Sequence, residues 1–369
     1  MSPRIASIEC FIAAYPVVGD FRFLAAKDGK RITRNTVVVR LTDDSGGVGW
    51  GQSVPSPTWS YETIETVQTS LERHLGPAIL GLPVDDTAAV WQAMNRVIAP
   101  AFSTGQPIAK AGIDLALFDL QGRRAGLSPA ARWGQPEGGP VTLSWTIDVR
   151  SPDELEDTVG RAAERGFRHF NVKIGRAAAT DVAICQRLRA LAPDAFIWAD
   201  ANGGYDEATA LTVARGLADA GLAAFEQPLP ANRLPGYRTL RRLGALPILM
   251  DEGVVSLADL ESFHQLELLD GVAMKISRVG GLTEAARMVE YLHEHGLAFF
   301  ASGLTDPDVA FAACLHLFSA YRLPHPAALN APQFLDGTVL ATPLKIVADQ
   351  AFPPTGPGLG VEVVRREPN

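Results

Sequence analysis

The sequence predicts an α/β protein in two parts: an α+β domain over residues 1–130, and a closed barrel of parallel strands alternating with helices over 131–330. The tail, 331–369, is expected to run back to the first part. Three observations predict this. The 369 residues exceed the size that one core usually serves, and 47% apolar against 20% charged residues is the balance of a folded chain. The opening alternates with period two and then changes to a helical period, the order of an α+β domain. Beyond the turn-rich break at 134–140, short apolar strands alternate with helices about every 25 residues, the rhythm of a parallel barrel.

Each element follows from its pattern. Alternating runs at 5–12, 35–41 and 48–51 read as an antiparallel meander, with Asp43-Asp44-Ser45-Gly46-Gly47 as its second turn. Residues 18–32 are too many and too polar for a hairpin loop, so they read as a lid. Helical spacing over 61–127 ends at Gly126. Strands follow at 141–147, 169–174, 195–199, 223–226, 248–251, 271–276 and 298–302, and a last short strand near 328–330 would close the ring. The glycines of 47–51 lack the spacing and the strand-to-helix setting of a nucleotide loop, so a hairpin is the better reading.

Composition excludes several classes. Net charge is −8 with no basic run, which argues against a nucleic-acid partner. No apolar stretch reaches the ~18 residues of a membrane span, and the first ten residues lack the pattern of a signal peptide. Cys10, Cys185 and Cys314 form neither a disulfide framework nor a metal motif, and the seven histidines, His293 and His295 among them, show no metal spacing. A cytoplasmic protein is expected.

Barrel active sites are assembled at the C-terminal ends of the strands. Here those ends carry Lys173, Asp200, Glu226, Asp251 and Lys275, one per unit, so all five project into one mouth. Three neighbouring carboxylates repel one another and call for a cation; an all-oxygen set without His or Cys suits Mg²⁺, with Mn²⁺ as the other candidate. Near such an ion a lysine would lose its proton more readily and could act as a base. Lysines on both sides of a metal-bound carboxylate could remove and return its α-proton through an enediolate.

The fragments Asn171-Val172-Lys173, Asp200-Ala201-Asn202, Glu226-Gln227-Pro228, Asp251-Glu252 and Lys275-Ile276-Ser277-Arg278-Val279-Gly280-Gly281 resemble the signature of the enolase superfamily, muconate lactonizing enzyme subgroup. Val48-Gly49-Trp50-Gly51, Ala111-Gly112-Ile113-Asp114 and Gly356-Pro357-Gly358-Leu359-Gly360 extend the resemblance over nearly the whole chain. It implies a (β/α)7β modified TIM barrel under an N-terminal α+β capping domain completed by the C-terminal tail. It also implies Mg²⁺ on Asp200, Glu226 and Asp251, with Lys173 and Lys275 as the acid/base pair. The expected activity is that of an isomerase on a small-molecule carboxylate: a racemase or epimerase, with a muconate-type cycloisomerase or a dehydratase as alternatives. Related barrels often assemble, so a homo-oligomer is compatible with the resemblance.

Departures from the family pattern matter as much. Asn171 stands where the subgroup commonly has the first lysine of K-x-K, leaving Lys173 with one fewer positive neighbour. The stretch 300–304 lacks the histidine of mandelate racemase relatives, and Ala328-Leu329-Asn330 lacks the aspartate pair with which dipeptide epimerases hold an ammonium group. Asp306-Pro307-Asp308 is read as helix capping. Asn171, Asn202, Glu252, Ser302 and Asn330 are expected around the substrate or the metal ligands. The far end of the substrate is expected to meet 18–32, where Phe21, Arg22 and Phe23 suggest an apolar or anionic group, and Gln52-Ser53-Val54-Pro55.

Overall fold

A computed structural model describes residues 2–19, 21–24, 32–101 and 104–364; of the expected lid, residues 20 and 25–31 lie outside the described residues. Strands β1 (Ile5–Pro16), β2 (Thr33–Asp43) and β3 (Val48–Ser53) form the antiparallel meander in sequence order. They run longer than their alternation suggested because pairing continues through Tyr15↔Arg34 and Pro16↔Thr33. Asp43 builds the second turn, its carboxylate accepting from the amides of Ser45 and Gly47 at 2.9 Å each. The helix Pro107–Ala125 crosses this sheet so closely that a Cβ on Gly51 would stand 2.0 Å from the Gly112 carbonyl oxygen. The glycines of 47–51 therefore serve helix–strand contact. Glu62 supplies the missing N-terminal cap of that helix, accepting from the amides of Ile108 (2.8 Å) and Ala109 (2.9 Å).

The expected first barrel strand is divided. β4 (Val141–Thr142) turns away, and only β5 (Trp145–Ile147) enters the barrel. It is followed by β6 (Phe170–Lys173), β7 (Ile197–Asp200), β8 (Phe225–Glu226), β9 (Ile248–Met250), β10 (Gly271–Met274) and β11 (Ala298–Ala301), all parallel and paired in sequence order. The eighth member is reduced to parallel bridges, Leu143↔Ala327 and Ser302↔Ala328, which join the first and last strands. The tail contributes β12 (Ile346–Val347) and β13 (Gln350–Ala351), the latter paired with β4. It then reaches the first part of the chain, where the Leu359 amide donates to Asp119 at 2.7 Å. Among the described residues no helix is long and apolar enough to cross a membrane.

Side-chain parity fixes what faces the barrel interior. Two positions before each strand-end residue from Asp200 to Asn330 lie Trp198, Ala224, Leu249, Ala273, Phe300 and Ala328, which pack as one buried cluster. They form an apolar floor beneath the mouth. One capping expectation fails: the helix Asp308–Ala320 has no side-chain cap. Asp308 instead accepts from the Tyr15 hydroxyl at 2.7 Å and the Val339 amide at 2.8 Å, while Asp306 accepts from Ser277 Oγ at 2.6 Å and the Leu304 amide at 2.7 Å. Both aspartates thus tie separate segments together.

Candidate active site

Strand register brings the charged residues to one level. Lys173 pairs with Asp200 and Asp200 with Glu226, while Asp251 and Lys275 each directly follow the last residue of their strands. All five are buried, at 3% exposure or less. Carboxylate oxygens of Asp200, Glu226 and Asp251 lie within 4.8 Å of one another. Lys173 Nζ donates to Asp200 Oδ2 at 2.5 Å; at the other end of the trio Lys275 Nζ contacts Asp251 and stands 3.7 Å from Glu226 Oε1.

Several neighbours orient the trio. The Trp198 indole N–H donates to Glu226 Oε2 at 2.8 Å from the floor below. Asn202, with φ 46°, turns its amide and its Nδ2 onto Asp200, each at 2.9 Å. Gln227 Oε1 accepts from the backbone amides of Asp251 (2.9 Å) and Gly253 (3.1 Å), so it sets the backbone that carries the third carboxylate. Arg278 Nη1 lies 3.6 Å from Asp251 Oδ1 and 3.7 Å from Glu252 Oε2.

The electrostatics follow from burial and these neighbours. Burial would raise Asp251, but Arg278 and Lys275 outweigh it and bring it down to about 2. Burial, reinforced by Asp200, pushes Glu226 up to about 8 despite the two lysines. For Lys173, burial disfavours the ammonium form, yet Asp200 and Glu226 prevail and its pKa is raised. The expected lowering of Lys173 is therefore conditional on a cation among those carboxylates.

The donor set fits such a cation. Glu226 Oε1 and Asp251 Oδ1 are buried without a hydrogen-bond partner, and Asp251 Oδ2 meets only the Lys275 ammonium. Ligand distances of ~2.0–2.1 Å place the oxygens around Mg²⁺ roughly 3–4 Å apart, within small side-chain adjustments of the observed spread. Asp200, Glu226 and Asp251 would hold such a cation, which would weaken their pull on the two ammonium groups and could offset negative charge on a bound anionic group.

The first part of the chain covers this mouth in ways no sequence motif marked. Trp59 lies over three cations, its ring 4.5 Å from Lys275 Nζ, 5.4 Å from Lys173 Nζ and 5.1 Å from the Arg278 guanidinium. Phe23 stacks on it at 4.5 Å. Arg22 is neither a surface group nor turned toward a ligand: it donates to Asp148 at 2.8 Å and to the carbonyls of Ile174 (2.8 Å) and Lys173 (2.9 Å). Phe21 is buried, stacked on Phe334 at 4.7 Å. Gln52 is likewise committed elsewhere, bonding Tyr15, Thr36 and the Ala310 amide. Of the turn 52–55 the structure places Gln52 in support of the cover. Ser302 and Asn330 are buried at the mouth beyond Phe300 and Ala328, Asn171 lies one layer deeper, and Glu252 is half-buried at the rim.

Residues 154–367 match the family model described as enolase C-terminal domain-like, and 25–131 match the mandelate racemase / muconate lactonizing enzyme N-terminal domain. The chain belongs to the enolase superfamily. It is an enzyme of its mandelate racemase / muconate lactonizing enzyme branch. This superfamily member is 28% identical to muconate cycloisomerase 1 of Rhodococcus opacus over 97% of this chain and 96% of that one. It is 26% identical to the L-Ala-D/L-Glu epimerase of Bacillus subtilis over 89% of each. Among solved structures it resembles the 2-chloromuconate cycloisomerase of Rhodococcus opacus, with TM-score 0.87, 27% identity and coverage of 98% and 97%. The substrate-liganded B. subtilis epimerase gives TM-score 0.89, 25% identity and coverage of 98% and 100%.

Proposed function

We propose that this enzyme is a Mg²⁺-dependent isomerase that abstracts the α-proton of a small carboxylate, acting as a racemase or epimerase. The observation that carries the reading is the placement of Lys173 and Lys275 against opposite ends of the Asp200–Glu226–Asp251 trio. A carboxylate held at the trio presents one face of its α-carbon to each lysine. Lys173 or Lys275, as the free amine, takes the α-proton and leaves a planar enediolate; the ammonium of the other returns a proton to the opposite face. Trp59 excludes water from both while this happens. Asp200, Glu226 and Asp251 are the proposed metal ligands.

α-Proton exchange in D₂O with Mg²⁺, followed by NMR on single enantiomers, tests this. Lys173→Ala should abolish exchange from one enantiomer and Lys275→Ala from the other. Undiminished exchange in both variants refutes the two-base mechanism.

The muconate cycloisomerases among the relatives favour a second reading, lactonisation of an unsaturated dicarboxylate. There one lysine would deliver a proton after ring closure, so a lactone would form and single-enantiomer exchange would be absent. Dehydration can use the same groups, with loss of water in place of proton return.

A further inference from the structure

The floor beneath the mouth is apolar at six of its eight positions, and the exceptions adjoin each other. Thr146 pairs with Asn171 between β5 and β6, and Asn171 pairs with Trp198 between β6 and β7. Parity turns all three inward, two residues below Asp148, Lys173 and Asp200. Asn171 has no solvent exposure, and neither its Oδ1 nor its Nδ2 has a hydrogen-bond partner. Asn330, above Ala328 on the neighbouring segment, reaches Thr146 Oγ1 with Nδ2 at 3.4 Å, and its Oδ1 is also buried and unpartnered. Three unmet polar atoms thus flank Thr146, two on Asn171 in the layer below Lys173 and one on Asn330 at the mouth. Burying such atoms is costly unless something meets them.

We propose that Asn171 and Asn330 form an uncharged subsite that receives an O–H or N–H group of the substrate beside its α-carbon. The inference rests on the α-proton-abstraction reading above and narrows its substrate class. Two of the three unmet atoms are carbonyl oxygens, which only accept. A second carboxylate or a halogen would leave both unpaired, whereas a hydroxyl donates to one oxygen and can accept from Asn171 Nδ2, and an ammonium group donates to both oxygens. No ionised side chain of the floor shares this corner, so the subsite reads hydrogen-bonding capacity and not charge.

The test uses the Mg²⁺-loaded enzyme with matched acids: lactate, alanine and propionate, and mandelate, phenylglycine and phenylacetate. Dissociation constants come from calorimetry, α-exchange from NMR and melting temperatures from scanning. Wild type should bind the hydroxy or amino acids roughly 100-fold more tightly than the unsubstituted acids. Asn171→Leu should erase that preference while keeping or raising the melting temperature, since it removes an unpaired amide. Asn330→Leu is the second variant should the first fail to fold. The hydroxy and amino arms distinguish which donor is read. Equal binding of substituted and unsubstituted acids, or a preference that survives both leucine variants, overturns the subsite. A lower melting temperature in the variants with the preference intact assigns the amides to a structural water and also overturns it. Absence of exchange from every acid in wild type fails the reading beneath, and the inference falls with it; a failed preference alongside normal exchange fails the inference alone.

Discussion

Trp198→Phe should weaken metal binding without touching a metal ligand. The indole N–H is a direct partner of Glu226 Oε2 at 2.8 Å, and both side chains are fully buried. A hydrogen bond to a charged acceptor is worth about 1.5–3 kcal/mol, and water cannot replace the donor in this closed floor. Phenylalanine keeps much of the packing against Phe196 and Phe300, whose rings lie 5.8 Å from the indole. The loss is therefore concentrated on Glu226, whose carboxylate burial already pushes toward its neutral form. Without the indole that carboxyl should hold its proton more firmly and yield it less readily to Mg²⁺. A cost of that size corresponds to roughly 10- to 100-fold in metal affinity, the usual effect of removing a group that orients a ligand. Titrating Mg²⁺ into the two proteins by calorimetry, and activity against Mg²⁺ concentration, measures it. Activity at saturating Mg²⁺ should return to within a few-fold of wild type. Superimposable Mg²⁺ curves, or a defect that saturating metal does not repair, would refute the reasoning.

Chelation with EDTA should lower the melting temperature and Mg²⁺ or Mn²⁺ should restore it, the bound ion adding about 2.7 kcal/mol of stability at a hundredfold excess over the dissociation constant; an unchanged melting curve counts against the site. Arg22→Met removes the donors to Asp148 and to the carbonyls of Lys173 and Ile174, so proteolysis within 21–24 should accelerate and KM rise several-fold; unchanged proteolysis contradicts an anchoring role for Arg22. Burial raises Glu62 from 4.5 to about 7 against the pull of the Ile108 and Ala109 amides and Lys110. The folded state then holds this proton more tightly than the unfolded chain. Its stabilising contribution is complete below about pH 4.5 and is lost as pH rises through 7, an effect of about 3 kcal/mol. Glu62→Gln should flatten that part of the stability–pH curve in denaturant titrations, and an identical slope in both proteins would reject the assignment.

What the sequence made legible was whatever the barrel's topology multiplies. Each β-α unit ends one strand at the same rim, so five charged residues recurring once per unit are neighbours whatever their helices do. Neither Asp200 nor Lys275 carries a local signal of function; the repeat supplies it. Trp59, Arg22 and Arg278 have no such repeat behind them. Trp59 acts because its ring meets Lys275 and also Phe23 from a different loop, a contact created when the first part of the chain docks on the mouth. Arg22 reads as a ligand contact from composition alone, but backbone carbonyls at the end of β6 claim it first. The aspartates at 306 and 308 fail for a related reason. A capping pattern is a local preference worth about 1 kcal/mol, and the Tyr15, Val339, Ser277 and Leu304 donors offer buried partners from distant segments.

Asn171 shows where the two kinds of information meet. Sequence marks it as a missing lysine, and a missing charge suggests only a weaker influence on Lys173. Register adds that this position belongs to the floor, one layer below the lysine, with Thr146 beside it, Asn330 bonded to that threonine, and its own amide unmet. A lysine in that layer would bring a cation beneath the reacting carbon; an asparagine brings a donor and an acceptor with no charge. The exchange therefore changes what can be recognised next to the α-carbon, while Lys173 keeps its contact with Asp200 at the level above. Family resemblance accounts for the chemistry shared along the rim, and the residues by which this chain departs from it lie where its own substrate would be chosen.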